Sequence, residues 1–229
     1  MMRHFAKWHI WLGWLIGIPL LLWTATGLVM VIKPIEEVRG EHLRSSAGAS
    51  PLPLDATYSI ELPAGVTEPV ETIAIRMKDG EPIFVLTYID GRIERYAENG
   101  DKLPTLNEVA AKALVARSIV GGDRQESATF YRADDVPFDF RRPVDVWQIA
   151  LEDGTYVYVG QHTGEIEAVR TRWWRVFDFA WGLHIMDLSE REDTSHPVLI
   201  VFAALGVVGS ILGIVLLFRR RKVRIQPRG

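Results

Sequence analysis

The 229-residue chain contains no cysteine. Disulfides, thiolate zinc sites, iron–sulfur clusters, CxxCH haem attachment and a cysteine nucleophile are therefore excluded. GxGxxG, GxxxxGK[ST], HExxH and GxSxG are also missing, so no nucleotide cofactor, phosphate loop, zinc protease or serine hydrolase of ordinary type is expected. Charge is missing from two long stretches, Ile10 to Ile32 (23 residues) and Pro197 to Phe218 (22 residues). Acidic residues are missing from both ends. Residues 1–8 and 219–229 hold Arg3, Lys7, Arg219, Arg220, Arg221, Lys222, Arg224 and Arg228 with no Asp or Glu, leaving 18 basic against 29 acidic residues between them, a net −11.

Each uncharged stretch is long enough to cross a hydrocarbon layer of about 30 Å at about 1.5 Å per residue. Both read as transmembrane helices, over 9–32 and 196–218. A cleavable signal peptide is the rival for the first, with Ala47-Gly48-Ala49 resembling a cleavage site. The apolar core of such a peptide is normally about 7–15 residues, and the site lies closer to it. Lys/Arg flank both spans at the chain ends, so the positive-inside rule puts both termini (1–8 and 219–229) in the cytoplasm and the centre outside, naturally the periplasm of a bacterial inner membrane. The run Arg219-Arg220-Arg221-Lys222 then stops a span and is not a nucleic-acid patch.

The central region has β punctuation. Thr72–Met77, Ile83–Ile89 and Arg92–Tyr96 are strand-like runs divided by Asp79-Gly80 and Asp90-Gly91, both hairpin signals. A second set comprises Val144–Leu151, Thr155–Val159 and Glu165–Val169, divided by Asp153-Gly154 and Thr163-Gly164. The spacing predicts a duplicated three-stranded meander, over 70–100 and 142–169. Between the copies a helix is expected over 105–118, with Thr105 as N-cap and Glu108 in the capping-box position. Residues 33–55 read as a linker and 56–170 as one domain. Over 171–189, Trp173, Phe177, Ala180, Trp181, His184 and Leu188 share one helical face, as in an interfacial amphipathic helix. The acidic groups Asp134, Asp135 and Asp139, and Glu190, Glu192 and Asp193, read as solvated surface.

These features resemble a known family. Tyr156-Val157-Tyr158 and Thr163-Gly164-Glu165-Ile166, with a preceding helix, are similar to the PepSY domain. Trp8-His9-Ile10-Trp11-Leu12-Gly13 running into Thr26-Gly27-Leu28-Val29 resembles the first helix of PepSY-associated transmembrane proteins. Trp181-Gly182-Leu183-His184, the glycine-rich second span and Arg219-Arg220-Arg221 resemble their last part. The fold class implied is an integral membrane α+β protein, in which two transmembrane helices flank a periplasmic PepSY-like domain of two antiparallel meanders. Larger members include ferric-siderophore reductases with b-type haem on intramembrane histidines. This chain has two spans where those have four or so.

Haem b needs imidazole, an apolar slot and small residues at the macrocycle. His9, Gly13, Leu20, Thr24 and Gly27 fall within about 60° on a helical wheel at about 100° per residue. His9, His184 and His196 are the expected iron ligands; Gly13 is the expected seat, with Arg172 and Arg175 for the propionates. Against this stand an interfacial His9, a foot-like role for His184, a turn-capping His196 and headgroup-binding arginines. His4, His42 and His162 are expected to be solvated. His9 lies near one membrane face and His184 and His196 near the other, so they cannot share one iron. A bis-imidazole site on the inner side then needs a second imidazole from a twofold partner or another subunit; Gly13-x-x-x-Gly17 and Gly209-x-x-x-Gly213 supply packing faces for a homodimer. The function expected is electron transfer across the membrane to a ferric siderophore or flavoprotein, with membrane lipid and a redox protein as partners. The alternative is an anchored, non-enzymatic PepSY module that binds or regulates a peptidase or another envelope protein.

Overall fold

The computed structural model describes residues 2–45, 51–53, 66–78 and 80–225. Residues 46–50 and 54–55 of the expected linker, and Asp79 of the first hairpin, lie outside these residues. The chain divides into two units. One is formed by its two ends, Met1–Pro34 with Arg175–Gly229; the other is Ile35–Trp174.

In the first unit, α1 spans Met2–Val31 and α5 spans Pro197–Ile225, and α4 (Arg172–His184) enters it from the second. Within α1 and α5, Ala6–Val31 and Pro197–Phe218 are long and apolar enough to cross a membrane. Few of their side chains are buried, and Trp11, Trp14, Leu21 and Leu217 are among the exposed ones. A helix apolar all round and unburied by protein needs lipid as its solvent. The helix α5 runs on through the basic segment to Ile225 instead of ending at Phe218.

The second unit begins with a short α2 (Ile35–Val38) and a 3-10 turn at Glu41–Leu43, and contains two antiparallel sheets. The first comprises β1 (Val70–Lys78), β2 (Glu81–Tyr88) and β3 (Ile93–Ala97) in sequential order. The β2–β3 turn places Gly91 at φ +84°, where a side chain is strained. Asp90 Oδ1 accepts from the Arg92 amide at 3.0 Å to close it. The second sheet comprises β4 (Gln125–Tyr131), β5 (Val146–Leu151), β6 (Tyr156–Gly160) and β7 (Ile166–Arg170), also in sequential order. It has four strands where the sequence pattern indicated three. The extra strand, β4, is an edge strand with only Ala128, Phe130 and Tyr131 as hydrophobes, so it carries no period-2 signal.

Alternation along the second sheet builds two cores. Ile149, Leu151, Val157, Val159 and Val169 point to one face and meet Ala111 and Val115 of α3 (Glu108–Ser118). Val146, Tyr158 and Ala168 point to the other and pack on Phe140 from the β4–β5 connection. The N-cap of α3 is Asn107, whose Oδ1 accepts from the Ala110 amide at 2.9 Å. The sequence expectation of Thr105 is thereby corrected. The reason lies in Leu106, whose amide donates to Gln161 O and whose carbonyl accepts from Trp147 Nε1, both at 2.9 Å. Those bonds tie residue 106 to the sheet, so the helix starts after it. Ile149 is fully buried and Val109 largely exposed. Ile149→Ala should therefore destabilise by about 2–5 kcal/mol and Val109→Ala by under about 0.5 kcal/mol, measured by denaturant melts of the detergent-solubilised protein.

The first sheet has a smaller core of Leu86, Tyr88 and Tyr96, closed by one carboxylate. Glu94 accepts from Tyr88 and Tyr96 hydroxyls (2.9 and 2.6 Å) and from Lys102 Nζ (2.5 Å). The Lys102 and Tyr96 bonds hold its carboxyl down at about 2. A depressed folded-state value stabilises above the unfolded value of about 4.3 and is lost as pH falls through the folded one. Melting between pH 5 and pH 2 should therefore lose a component in wild type that Glu94→Gln lacks throughout.

Candidate functional site: the histidine seats of the two-helix unit

Small residues determine where α1 and α5 touch. A Cβ placed on Gly209 would lie 3.0 Å from Ile16 Cδ1 and 3.3 Å from Leu12 Cδ2. On Gly213 it would lie 3.1 Å from His9 Cε1 and 3.6 Å from His9 Nε2. The His9 ring therefore rests on bare backbone of α5, and its Nδ1 is buried without a hydrogen-bond partner. The Gly209/Gly213 face is thus occupied by α1 of the same chain. The two helices pair antiparallel within one chain, with Gly209 and Gly213 at their close approach. Gly13, Gly17 and Gly206 have nothing within 4 Å of a built Cβ, and they leave open notches.

At the far end of α1 a second imidazole is seated the same way. His184, the last residue of α4, stacks on Trp23 with ring centroids 4.6 Å apart and planes at 19°. It rests on Gly27, whose built Cβ would lie 3.2 Å from His184 Cε1. Its Nδ1 is 3.1 Å from Thr26 Oγ1 and 3.1 Å from the Trp23 carbonyl. The Thr26 hydroxyl sits 2.9 Å from both the Leu22 and Trp23 carbonyls, and its one proton is committed there. Thr26 Oγ1 therefore accepts, and Nδ1 carries the proton. Nε2 is then the lone-pair nitrogen, and it makes no hydrogen bond among the described residues.

The levels of the three histidines follow from the same packing. His9 lies 18 residues before Gly27 on one helix, about 27 Å along its axis. They cannot serve one iron. His196 precedes α5 by one residue. Carrying back the α5 register set at Gly213 and Gly209 puts it level with about residue 26 of α1, the level of His184. Its Nδ1 is buried and without a hydrogen-bond partner.

Arg172 lies about 18 Å before His184 along α4, and its Nε would be 2.5 Å from a Cβ on Gly154, beside the β5–β6 turn. Arg175 is nine residues before His184, about 13 Å. His4 is exposed, His42 lies in the 3-10 turn, and His162 Nε2 is 3.3 Å from Asp145 Oδ2.

A structured connection from α4 to α5 escaped the sequence reading. Met186 at φ +59° ends α4, with the Asp187 amide reaching back to Gly182 O, a Schellman-type closure. Asp187 is buried. Its Oδ1 accepts from Ser189 N, Ser189 Oγ and Glu190 N, and its Oδ2 from Glu192 N and Asp193 N, all within 3.2 Å. These bonds, the Ser189 hydroxyl first, hold its carboxyl far below the usual range. Arg191 folds back so that Nη1 meets Asp178 Oδ2 at 2.5 Å, while its carbonyl accepts from Trp181 Nε1 at 3.0 Å. The only hint in the sequence was Asp187-Leu188-Ser189, an Asx-turn pattern.

No group of three or more His, Asp or Glu able to hold a metal ion occurs among the described residues. The unit is thus a pair of membrane-spanning helices bearing imidazoles at two levels, attached to a β-rich unit of two sheets. The chain matches the PepSY-associated TM region family over residues 6–229 and belongs to it. No protein of curated function and no solved structure matches the chain. If the glycine seats are what admit the imidazoles, Gly213→Leu and Gly27→Leu should each lower the melting temperature in detergent by several degrees, whereas Gly206→Leu, facing open space, should leave it within a degree or two.

Proposed function

We propose that this membrane protein carries electrons, with haem b that imidazoles of the two-helix unit would hold. The observation that carries the reading is the His184 Nδ1–H bonded to the Trp23 carbonyl and Thr26 hydroxyl. Metal-ligating imidazoles characteristically donate their other ring N–H to such an acceptor, which fixes the tautomer and orients the lone pair. The residues present fit the group. His184 and His196 lie at one level. His9, with Gly13 open one turn on, is a seat at the other. His184 and His196 would hold the group at one level and His9 at the other. When bound, haem supplies one-electron chemistry. The chain's own part is to orient Nε2, exclude water with Trp23 and the apolar helices, and set the level of each site. Basic ends at 1–8 and 219–229 favour an inner-membrane protein with cytoplasmic termini and a periplasmic β-rich unit. A second His9, from a homodimer packed on the open Gly13/Gly17 notches, would complete an inner site. A ferric siderophore or flavoprotein would then accept the electron outside, with a separate redox protein as donor.

A second reading rests on the sheet edges. The outer side of β3 is covered by backbone bonds from Ala97 N to Asp101 O and from Leu103 N to Arg95 O. The carbonyls of β7 are covered by Arg44 and Arg142. Beyond its first residue, β4 receives no hydrogen bond from outside its sheet among the described residues. Such an edge suits strand addition by an envelope protein or peptidase, with the spans serving as an anchor.

Absorption spectra of the purified protein from haem-replete cells separate the two readings. Electron transfer expects oxidised and reduced b-type bands. His184→Ala should remove one component, while His162→Ala keeps both. A colourless preparation leaves the anchored module.

A further inference from the structure

Between residues 35 and 174 the chain carries 15 Lys/Arg against 24 Asp/Glu, yet three arginines converge on one cleft. Arg39, Arg44 and Arg170, with Glu41, Glu167 and Trp174, line a cavity of about 650 Å³. The Glu167 carboxylate is already committed, to Arg142 Nη1 at 2.9 Å and to the Thr163 hydroxyl at 2.5 Å. Glu41 is then the one uncommitted acid facing three guanidinium groups.

The cleft is built in advance. Arg170 donates through Nε to the Asp139 carbonyl at 2.7 Å and lies 4.1 Å over the Trp174 ring. Arg44 Nη2 donates to the Ile166 carbonyl at 3.2 Å. Arg39 is exposed, and its side chain has no partner among the described residues. Its backbone is nevertheless fixed, because Gly40, at φ +74°, sits so close to Val169 that a Cβ would come within 2.7 Å of Cγ1. Only glycine permits that approach, and it pins the turn carrying Arg39 and Arg44 onto β7. Guanidinium forks preorganised around a pocket match the oxygens of a phosphate group.

The source of the phosphate follows from chain connectivity. Arg39 is eight residues beyond the end of α1, and Trp174 lies in the first turn of α4. One wall of the cleft therefore lies on the segment that follows α1, and the other on β7, which runs directly into α4. We propose that the cleft binds the phosphodiester headgroup of an anionic phospholipid, at the point where both tethers leave the β-rich unit. It is independent of haem and of strand addition.

The test uses the full chain purified in mild detergent and stripped of lipid. Phosphatidylglycerol or phosphatidylcholine is added back, and retained lipids are counted by native mass spectrometry. An arginine beside an anionic headgroup contributes roughly fivefold in affinity, so Arg39→Gln with Arg44→Gln should weaken retention of one phosphatidylglycerol by about thirtyfold. Phosphatidylcholine binding should not change, and neither should the melting temperature. Arg132→Gln, at another exposed arginine, should retain the wild-type count. Equal phosphatidylglycerol retention in wild type and double variant overturns the proposal. So does an equal loss of phosphatidylcholine. Displacement of the lipid by millimolar inorganic phosphate at constant ionic strength assigns the cleft to the free ion and overturns the lipid source.

Discussion

The Thr26 hydroxyl has one proton to give, and the carbonyls one turn back on its own helix take it. That commitment makes Thr26 an acceptor and Nδ1 of His184 a donor. It leaves Nε2 with the lone pair, at the junction of a spanning helix with an amphipathic one. A hydroxyl bonded back along a helix is ordinarily a way to satisfy a polar group in lipid. Here the same bond sets the tautomer of a histidine 158 residues away. The ring stack on Trp23 and the bare backbone of Gly27 then fix its plane and depth.

Glycine does two different things in the spans. At Gly27, Gly209 and Gly213 it removes a side chain where a neighbour already presses, and in two of the three cases the neighbour is an imidazole. At Gly13, Gly17 and Gly206 it leaves space unfilled. A GxxxG repeat in sequence cannot distinguish the two uses, because spacing says that a face is thin but not what lies against it. The Gly209/Gly213 repeat, expected as a packing face between copies, lies against α1 of its own chain.

Much of the architecture was legible because its causes are local. Uncharged runs mark the spans, and the Asp-Gly pairs at 90–91 and 153–154 mark turns whose glycines have positive φ. What was not legible depends on distant partners. Strand β4 has no hydrophobic alternation and forms because β5 offers it a ladder. The start of α3 is set by Trp147, 41 residues away from Leu106. The placement of Arg172 beside the β5–β6 turn also depends on distant partners. His9 and His184 were visible as residues, but their two-level separation became a distance only once Gly27 and Gly213 were seen to receive them.

The link between α4 and α5 has a chemical peculiarity. Both oxygens of Asp187 face hydrogens, from backbone amides and from one hydroxyl. An asparagine of the same shape would turn an NH₂ toward amide N–H groups on one side and leave them facing each other unpaired. A carboxylate at 187 meets all five hydrogens at once, so the bend leading into α5 is held by charge as well as by shape.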